Sequence, residues 1–343
     1  MEQTALKQIF LSAPKEREQV GQFLARHGLK LEPDLEYTVG LYVDNLLIGT
    51  GSLSKRVLKC IAIDDAYKGM GMTNKIVSHL SMKAYQQGQT HLFIYTKPEN
   101  VPLFEPLGFY AIYELHQTVT LLENTPIGLQ DYLKSLRAKR REAQQVGAVV
   151  VNCNPFTLGH RYLIESAAAR SEVVHVFVVQ EDRSVFPFEV RYRLVKEGVS
   201  DLERVSVHQG GDYIISQATF PSYFLKESQQ VDDVHARLDA GIFAKYIAPT
   251  LGITIRFVGN EPLCPVTSHY NQMMKSILPA HGIEVIELER KQKDGEVISA
   301  SRVRKFLCEG RLEEIRKIVP ETTYRYLISE EAQSVIKQIK HTK

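Results

Sequence analysis

Five small and β-branched residues, Gly147-Ala-Val-Val-Val151, run directly into Asn152-Cys-Asn-Pro-Phe-Thr-Leu-Gly-His160. A short apolar run bounded by turn residues is a buried strand, and beyond the turn Tyr162, Leu163, Ile164 and Ala167 to Ala169 recur at helical spacing, predicting a helix over Leu158 to Ser171. The same grammar continues downstream. Strands are expected at Ala148 to Asn152, Val173 to Gln180, Val205 to His208, Thr254 to Val258 and Ile283 to Glu287, each followed by a helical or loop stretch. Such alternation gives a Rossmann-like parallel sheet covered by helices. Ligands of these sheets sit outside the carboxyl ends of the strands, where the helix after the first strand offers unpaired amides and a positive dipole end. Asn154 to His160 occupies that place. Pro155 stiffens the exit, Gly159 lets backbone approach a ligand closely, and Thr157 and His160 can donate to phosphate oxygens. Alone, the segment reads equally as a tight turn whose threonine caps a helix and whose histidine lies at the surface.

At 343 residues the chain is long enough for two domains of roughly 150 residues each. A net charge of +2 gives no electrostatic reason for a nucleic-acid partner. The basic stretches Lys134 to Arg141 and Lys337 to Lys343 read as a solvated linker helix and a tail. Cys60, Cys153, Cys264 and Cys308 are far apart, which argues against disulfides and zinc, and no metal-ligand set is expected. No apolar stretch has the length of a membrane span, and Met1-Glu-Gln-Thr lacks signal-peptide character, so a soluble cytoplasmic protein without membrane partners is expected.

Upstream of residue 125 the pattern is mixed α+β. Strands are expected at Glu36 to Val43, Leu46 to Ser54, Val57 to Ile63 and His91 to Tyr95, with a helix over Met72 to Gln87 and a hairpin turn at Asp44-Asn45. The expected organisation is a first domain at 1–125, a linker helix at 126–146, drawn from the charged stretch Gly128 to Gln145, and a second domain at 147–343.

A second signal lies far downstream of the first turn. Thr157-x-Gly159-His160 and Ile298-Ser-Ala-Ser-Arg-Val-Arg304 resemble, in order, the two signatures of the HIGH-type nucleotidyltransferase superfamily. The resemblance implies that His160 and Thr157, with Asn154 and Gly159 around them, hold nucleotide phosphates. Ser299, Ser301 and Arg304 would hold the departing phosphates, with Arg302 as a helper. Attack on the α-phosphate of ATP requires clamping a polyphosphate and neutralising charge as pyrophosphate leaves; Mg2+ enters with ATP, and no dedicated protein ligands for it are identified.

In the first domain, Tyr67-Lys-Gly-Met-Gly-Met-Thr73 resembles the CoA loop of the GNAT acetyltransferase superfamily, with Lys68 at the basic position, Gly69 and Gly71 in the turn, and Thr73 departing from the final small residue. Asn100-Val-Pro-Leu-Phe-Glu-Pro-Leu-Gly-Phe109 resembles a second GNAT stretch. Phe104 stands where the superfamily commonly has a proton-donating tyrosine, and Leu58 to Ile63 carries no carboxylate. Asp64 and Asp65 read as a solvated turn. The expectation is a domain that grips a phosphopantetheine arm without acetylating amines.

Over essentially its full length, including Gly259-Asn-Glu-Pro262, Val266-Thr-Ser-His-Tyr-Asn271 and Phe220-Pro-Ser-Tyr-Phe224, the chain resembles the citrate lyase ligase family. That resemblance implies ATP-dependent joining of acetate, through acetyl-adenylate, to the thiol of the dephospho-CoA-type prosthetic group on the acyl carrier subunit of citrate lyase. Asn260 and Glu261 would line a nucleotide or acetate pocket, or form a plain loop. Phe220 to Phe224 would wall an acyl pocket or join an aromatic core, and Cys153 reads as a packing residue. The alternatives are a cofactor-pathway adenylyltransferase with a CoA-sensing domain, and a regulatory protein that binds without turnover.

Overall fold

The structure is a computed structural model that describes residues 4–180, 184–220, 233–261 and 264–341. It divides into two compact units, Met1–Leu129 and Gln130–Lys343.

In the N-terminal unit, seven strands form one sheet in the order β1-β2-β3-β4-β5-β7-β6. They are β1 (Thr4–Ile9), β2 (Tyr37–Val43), β3 (Leu46–Ser54), β4 (Val57–Ile63), β5 (Phe93–Thr96), β6 (Tyr110–Leu115) and β7 (Val119–Glu123). Helices α1 (Pro14–Arg26), α2 (Met72–Gln86) and α3 (Val101–Phe104) accompany them. The hairpin turn between β2 and β3 is at Asp44 and Asn45, both at positive φ, as the sequence predicts. All pairings are antiparallel except β4 with β5, which meet only at Val57↔Phe93 and Leu58↔Ile94. Their carboxyl ends are therefore not joined to each other, and the turn carrying Gly69 and Gly71 follows at the end of β4. Strands β1, β6 and β7 and helix α1 were not read from sequence. In β1 the burial alternates weakly, and α1 begins on Pro14 and is held by Glu16 accepting the Phe10 N–H at 2.5 Å, a local cap without a strong apolar period.

The helix expected through Gln145 is shorter. Helix α4 (Gly128–Arg137) stops before Lys139-Arg-Arg141, where Arg141 turns to donate to the Glu203 carbonyl at 2.8 Å and the chain extends into the next strand. A run of adjacent like charges is a poor helix continuation.

The C-terminal unit is built on five parallel strands, β8 (Val146–Val151), β9 (Val173–Val178), β10 (Val205–Gln209), β11 (Ile255–Gly259) and β12 (Glu284–Leu288), in the order β10-β9-β8-β11-β12. The Rossmann-like expectation holds. The order reverses between β8 and β11, and the crevice outside their carboxyl ends is where such a sheet binds ligands. A two-stranded hairpin, β13 (Gln292–Lys293) and β14 (Glu296–Val297), follows β12. The helices are α5 (Leu158–Ala168), α6 (Phe188–Gly198), α7 (Asp233–Ile242), α8 (Ala248–Leu251), α9 (Pro265–Ile277), α10 (Ala300–Glu309), α11 (Leu312–Arg316), α12 (Glu321–Leu327) and α13 (Gln333–His341). Val149, Val151, Val174, Val176 and Phe257 share one buried cluster with Ile164, Leu194, Val303 and Leu327, so α5, α6, α10 and α12 join one core with these strand residues. No helix among the described residues is long and apolar enough to cross a membrane.

Candidate active site

Helix α5 starts on Thr157, an extended residue whose hydroxyl accepts the His160 N–H at 3.4 Å. In return the imidazole Nδ1 of His160 accepts the Thr157 N–H at 3.1 Å and lies 2.9 Å from its hydroxyl. This reciprocal cap satisfies donors that a helix start otherwise leaves open. The Leu158 N–H is also engaged, by the Ile318 carbonyl at 3.0 Å. With these amides committed, a phosphate at this helix end has to be held mainly by side chains. Burial, reinforced by the nearby Arg290 charge, lowers the His160 pKa to about 4. The imidazole is thus neutral near pH 7, and with Nδ1 accepting, its proton resides on Nε2.

The second motif lies against the first. A Cβ on Gly159 would stand 2.8 Å from the Ile298 carbonyl oxygen, so glycine is required for the two motifs to touch rather than for a ligand to approach. Ser299 caps α10 by accepting the Arg302 N–H at 3.2 Å. Arg304 donates through Nη1 to the Asn154 carbonyl and through Nη2 to the Ser301 hydroxyl at 3.1 Å. Arg302 pairs with Glu296 at 2.6 Å and packs over the Phe306 ring.

A cavity of about 200 Å³ opens at the carboxyl ends of β8 and β11, and its wall includes Thr157, Gly159, His160, Ser299 and Glu261 of the residues expected from sequence. Asn154, Ser301, Arg302, Arg304 and Asn260 are not in that wall. Asn154 acts as a brace: its side chain accepts the Phe186 N–H at 3.1 Å and its carbonyl receives Arg304. Asn260 bonds Leu288 through its own N–H at 2.8 Å, and its side chain and carbonyl both accept from Arg290, at 3.2 and 2.8 Å. Glu261 pairs with Arg290. These two loop residues position an arginine. Pro262, and Pro221 to Phe224 of the expected acyl-pocket stretch, lie outside the described residues; Phe220 is buried against Tyr270.

Arg290 and Lys291 line the cavity and were missed from sequence. Their signal was position, since they come within three residues of the end of β12. Arg191 was missed for the opposite reason, because an arginine in an amphipathic helix reads as solvated. It is fully buried and donates to the Phe186 carbonyl at 3.0 Å, the Asn152 carbonyl at 2.9 Å, the Asn152 side chain at 3.0 Å and the Val179 carbonyl at 2.6 Å. It ties together the segments that leave β8 and β9.

In the N-terminal unit, Gly69 and Gly71 take φ of +77° and +74°, and Gly71 is the residue from which α2 starts. No atom lies within 4 Å of a Cβ built at either. Lys68 pairs with Asp65 at 2.5 Å, both exposed. Phe104 is buried in the core rather than presented at a surface.

The family pattern of the citrate lyase ligase C-terminal domain matches residues 146–327, which span the sheet and both motifs. The chain belongs to the citrate lyase ligase family. A citrate (pro-3S)-lyase ligase from Klebsiella pneumoniae is 43% identical over 94% of this chain and 96% of its own length. One from Escherichia coli strain K12 is 40% identical over 92% and 91%. Among solved structures, a bifunctional NMN adenylyltransferase/ADP ribose pyrophosphatase from Francisella tularensis is 14% identical, covering 58% of this chain and 52% of its own, with a TM-score of 0.36, a likeness too slight to add to what the strand order says. In this ligase Cys153 and Cys60 are poor nucleophiles. Burial raises the Cys153 thiol far above its ordinary range and Cys60 to about 11.

Proposed function

We propose that this ligase acetylates the thiol of a dephospho-CoA-type prosthetic group on the acyl carrier subunit of citrate lyase, splitting ATP to AMP and pyrophosphate. The observation that carries the reading is the meeting of Gly159 with Ile298, and of Arg304 with Asn154, which puts two phosphate-type motifs beside one cavity at the reversal of strand order. ATP enters with its own Mg2+. The neutral His160, donating through Nε2, and the cations Arg290 and Lys291 face the polyphosphate, with Ser299 at the wall toward the departing end and Arg304, bonded to Asn154 and Ser301, adding its charge from behind the wall. A carboxylate oxygen of acetate forms a bond to the α-phosphorus. The bond from that phosphorus to the bridging oxygen breaks, and pyrophosphate leaves with the electron pair. The prosthetic-group thiolate then attacks the acyl carbon and AMP departs. Lys68, Gly69 and Gly71 would hold the pyrophosphate of that group at the start of α2. Dependence on ATP fits action in the cytoplasm.

The test is exchange of labelled pyrophosphate into ATP. Exchange that requires acetate is expected; exchange indifferent to acetate, or absent from protein that binds ATP, overturns the proposal.

A further inference from the structure

Helix α9 borders the cavity and belongs to neither motif. Its Thr267, Tyr270, Asn271 and Met274 line the space, at the i, i+3, i+4, i+7 spacing that puts residues on one face of a helix. Val150 and Val258 line it beside them. Residues alternate across a strand, so Val150 points away from Val149 and Val151, which share a core with Ile164 of α5 and Val303 of α10. Val258 likewise points away from Phe257 of that core. The cavity thus has two walls on opposite faces of the sheet, the two motifs on one and α9 with Val150 and Val258 on the other.

Asn271 is the buried polar group of the second wall, only 3% exposed. Its Nδ2 donates to the Gly259 carbonyl at 2.9 Å, a bond that only the NH2 end of the amide can make, so the orientation of the side chain is set. Among the described residues no group donates to its Oδ1. Thr267 gives its hydroxyl proton to the Cys264 Sγ at 3.4 Å, which leaves its oxygen as an acceptor. The face that α9 turns to the cavity therefore offers two acceptors and no charged side chain. Such a face disfavours carboxylate and phosphate oxygens and suits an uncharged ligand with N–H groups. Its surroundings are fixed: Asp239 accepts the Tyr270 hydroxyl at 2.5 Å and the N–H of Ile215 at 2.7 Å, and Arg256, which also reaches the cavity, packs over the Phe243 ring.

We infer that this face binds the thiol end of the prosthetic arm, with Asn271 Oδ1 and Thr267 Oγ1 accepting amide N–H groups of its pantetheine-type chain and Met274, Val150 and Val258 packing on its methylenes. The inference rests on the acid-activating reading given above and gives that reading's last substrate a place. Displacement at the α-phosphorus is in line, so with pyrophosphate leaving along the motif wall the acetate carboxylate enters from the other side, and the acyl group of the adenylate ends there. The thiolate has to reach that carbon. Its sulfur forms a bond to the acyl carbon, the bond from that carbon to the AMP oxygen breaks with its electron pair on AMP, and the thiol proton goes to solvent.

The test uses the full chain with the thiol form of the acyl carrier subunit as acceptor, and measures acetate-dependent exchange and acetyl transfer side by side. Asn271→Leu should raise the KM for the carrier about three- to tenfold, the loss of one buried hydrogen bond, and leave exchange and the KM for ATP within about twofold. Thr267→Val, which nearly keeps the shape and removes the hydroxyl, should act in the same direction, and it carries the test where the leucine variant does not fold. Pantetheine should compete with the carrier more strongly than 2-mercaptoethanol, which has no amide, and that difference should narrow in both variants. A KM for ATP that rises while the carrier KM stays fixed would mean that the face reads the adenine amino group, and overturns the inference. An unchanged carrier KM in folded variants overturns it too, as does equal loss of exchange and transfer. Wild-type protein that binds ATP but shows no acetate-dependent exchange overturns the parent reading instead, whatever the variants do.

Discussion

The Nδ1 atom of His160 accepts the backbone N–H of Thr157 at 3.1 Å, three residues before it in the chain. The imidazole is thereby a structural cap on one side and a donor on the other. Had the ring been protonated, Nδ1 could not accept, and the cap would be broken. The neutral state is therefore built into the helix start.

The first prediction follows from that state. With its pKa lowered to about 4, His160 does not titrate between pH 5.5 and 8, so the exchange rate should show no inflection assignable to it near the ordinary value of about 6.5. The sign for stability is also fixed. The folded chain binds fewer protons than the unfolded one between those two values, so this contribution is complete above about pH 6.5 and is lost as the pH falls towards 4. His160→Ala should reduce exchange by roughly two to three powers of ten, as removal of a transition-state donor does. Comparing pH–rate profiles of the wild type and variant checks both; a limb near 6.5 that vanishes in the variant contradicts the assignment.

A second prediction concerns Gly159. Alanine ordinarily favours a helix over glycine by about 1 kcal/mol. Here its Cβ would meet the Ile298 carbonyl oxygen at 2.8 Å, and the backbone of one motif would have to move away from the other. Gly159→Ala should therefore destabilise by about 1–3 kcal/mol in urea unfolding and lower exchange about tenfold or more. A stabilised, fully active variant would show that the two motifs need not touch.

How much of this was legible in the sequence depends on what kind of contact makes each feature. The parallel sheet was readable because Val149, Val151, Val174 and Val176 make uninterrupted apolar runs, and the two motifs were readable because helix caps and tight turns use local residue types. Strands β6 and β7 were not, since their pairing is read only from register across the sheet. The expected roles of Asn154 and Asn260 point the same way. Both residues are at the site's edge, yet each serves an arginine distant in sequence, Arg304 and Arg290, and local pattern carries no trace of that.

Arg191 gives a third prediction. Its guanidinium supplies donors to three backbone carbonyls and the Asn152 side chain from a fully buried position. Removing the donor would leave those acceptors unsatisfied, at about 1–3 kcal/mol for each buried group that water cannot reach. Arg191→Met should lower unfolding stability by about 3–5 kcal/mol, and Arg191→Lys by less, because an ammonium cannot reach all four acceptors. Denaturation midpoints with an unchanged denaturant slope are the measurement. A loss below about 1 kcal/mol for the methionine variant would mean that the acceptors find other partners.

The last prediction separates the two glycine-bearing turns. Gly71 begins α2 in the left-handed region at φ +74°, with no atom within 4 Å of an added Cβ. A side chain there meets strain of about 1–2 kcal/mol but no clash, and aspartate tolerates this region better than most residues. A negative charge at this position also suits the positive end of the helix. Gly71→Asp should therefore fold, while its charge occupies the place where the pyrophosphate of the prosthetic group would bind. Affinity for CoA fragments in calorimetry should fall about tenfold or more, by loss of the amides and by repulsion, whereas Gly71→Asn, uncharged and of similar size, should lose less. Acetate-dependent pyrophosphate exchange should persist in both, because it uses the turn at Thr157 to His160. Transfer to the carrier thiol should fall in the aspartate variant. If exchange and transfer fail together in folded protein, one site serves both half-reactions; if neither changes, the turn at Gly69 and Gly71 only starts a helix and the arm binds elsewhere.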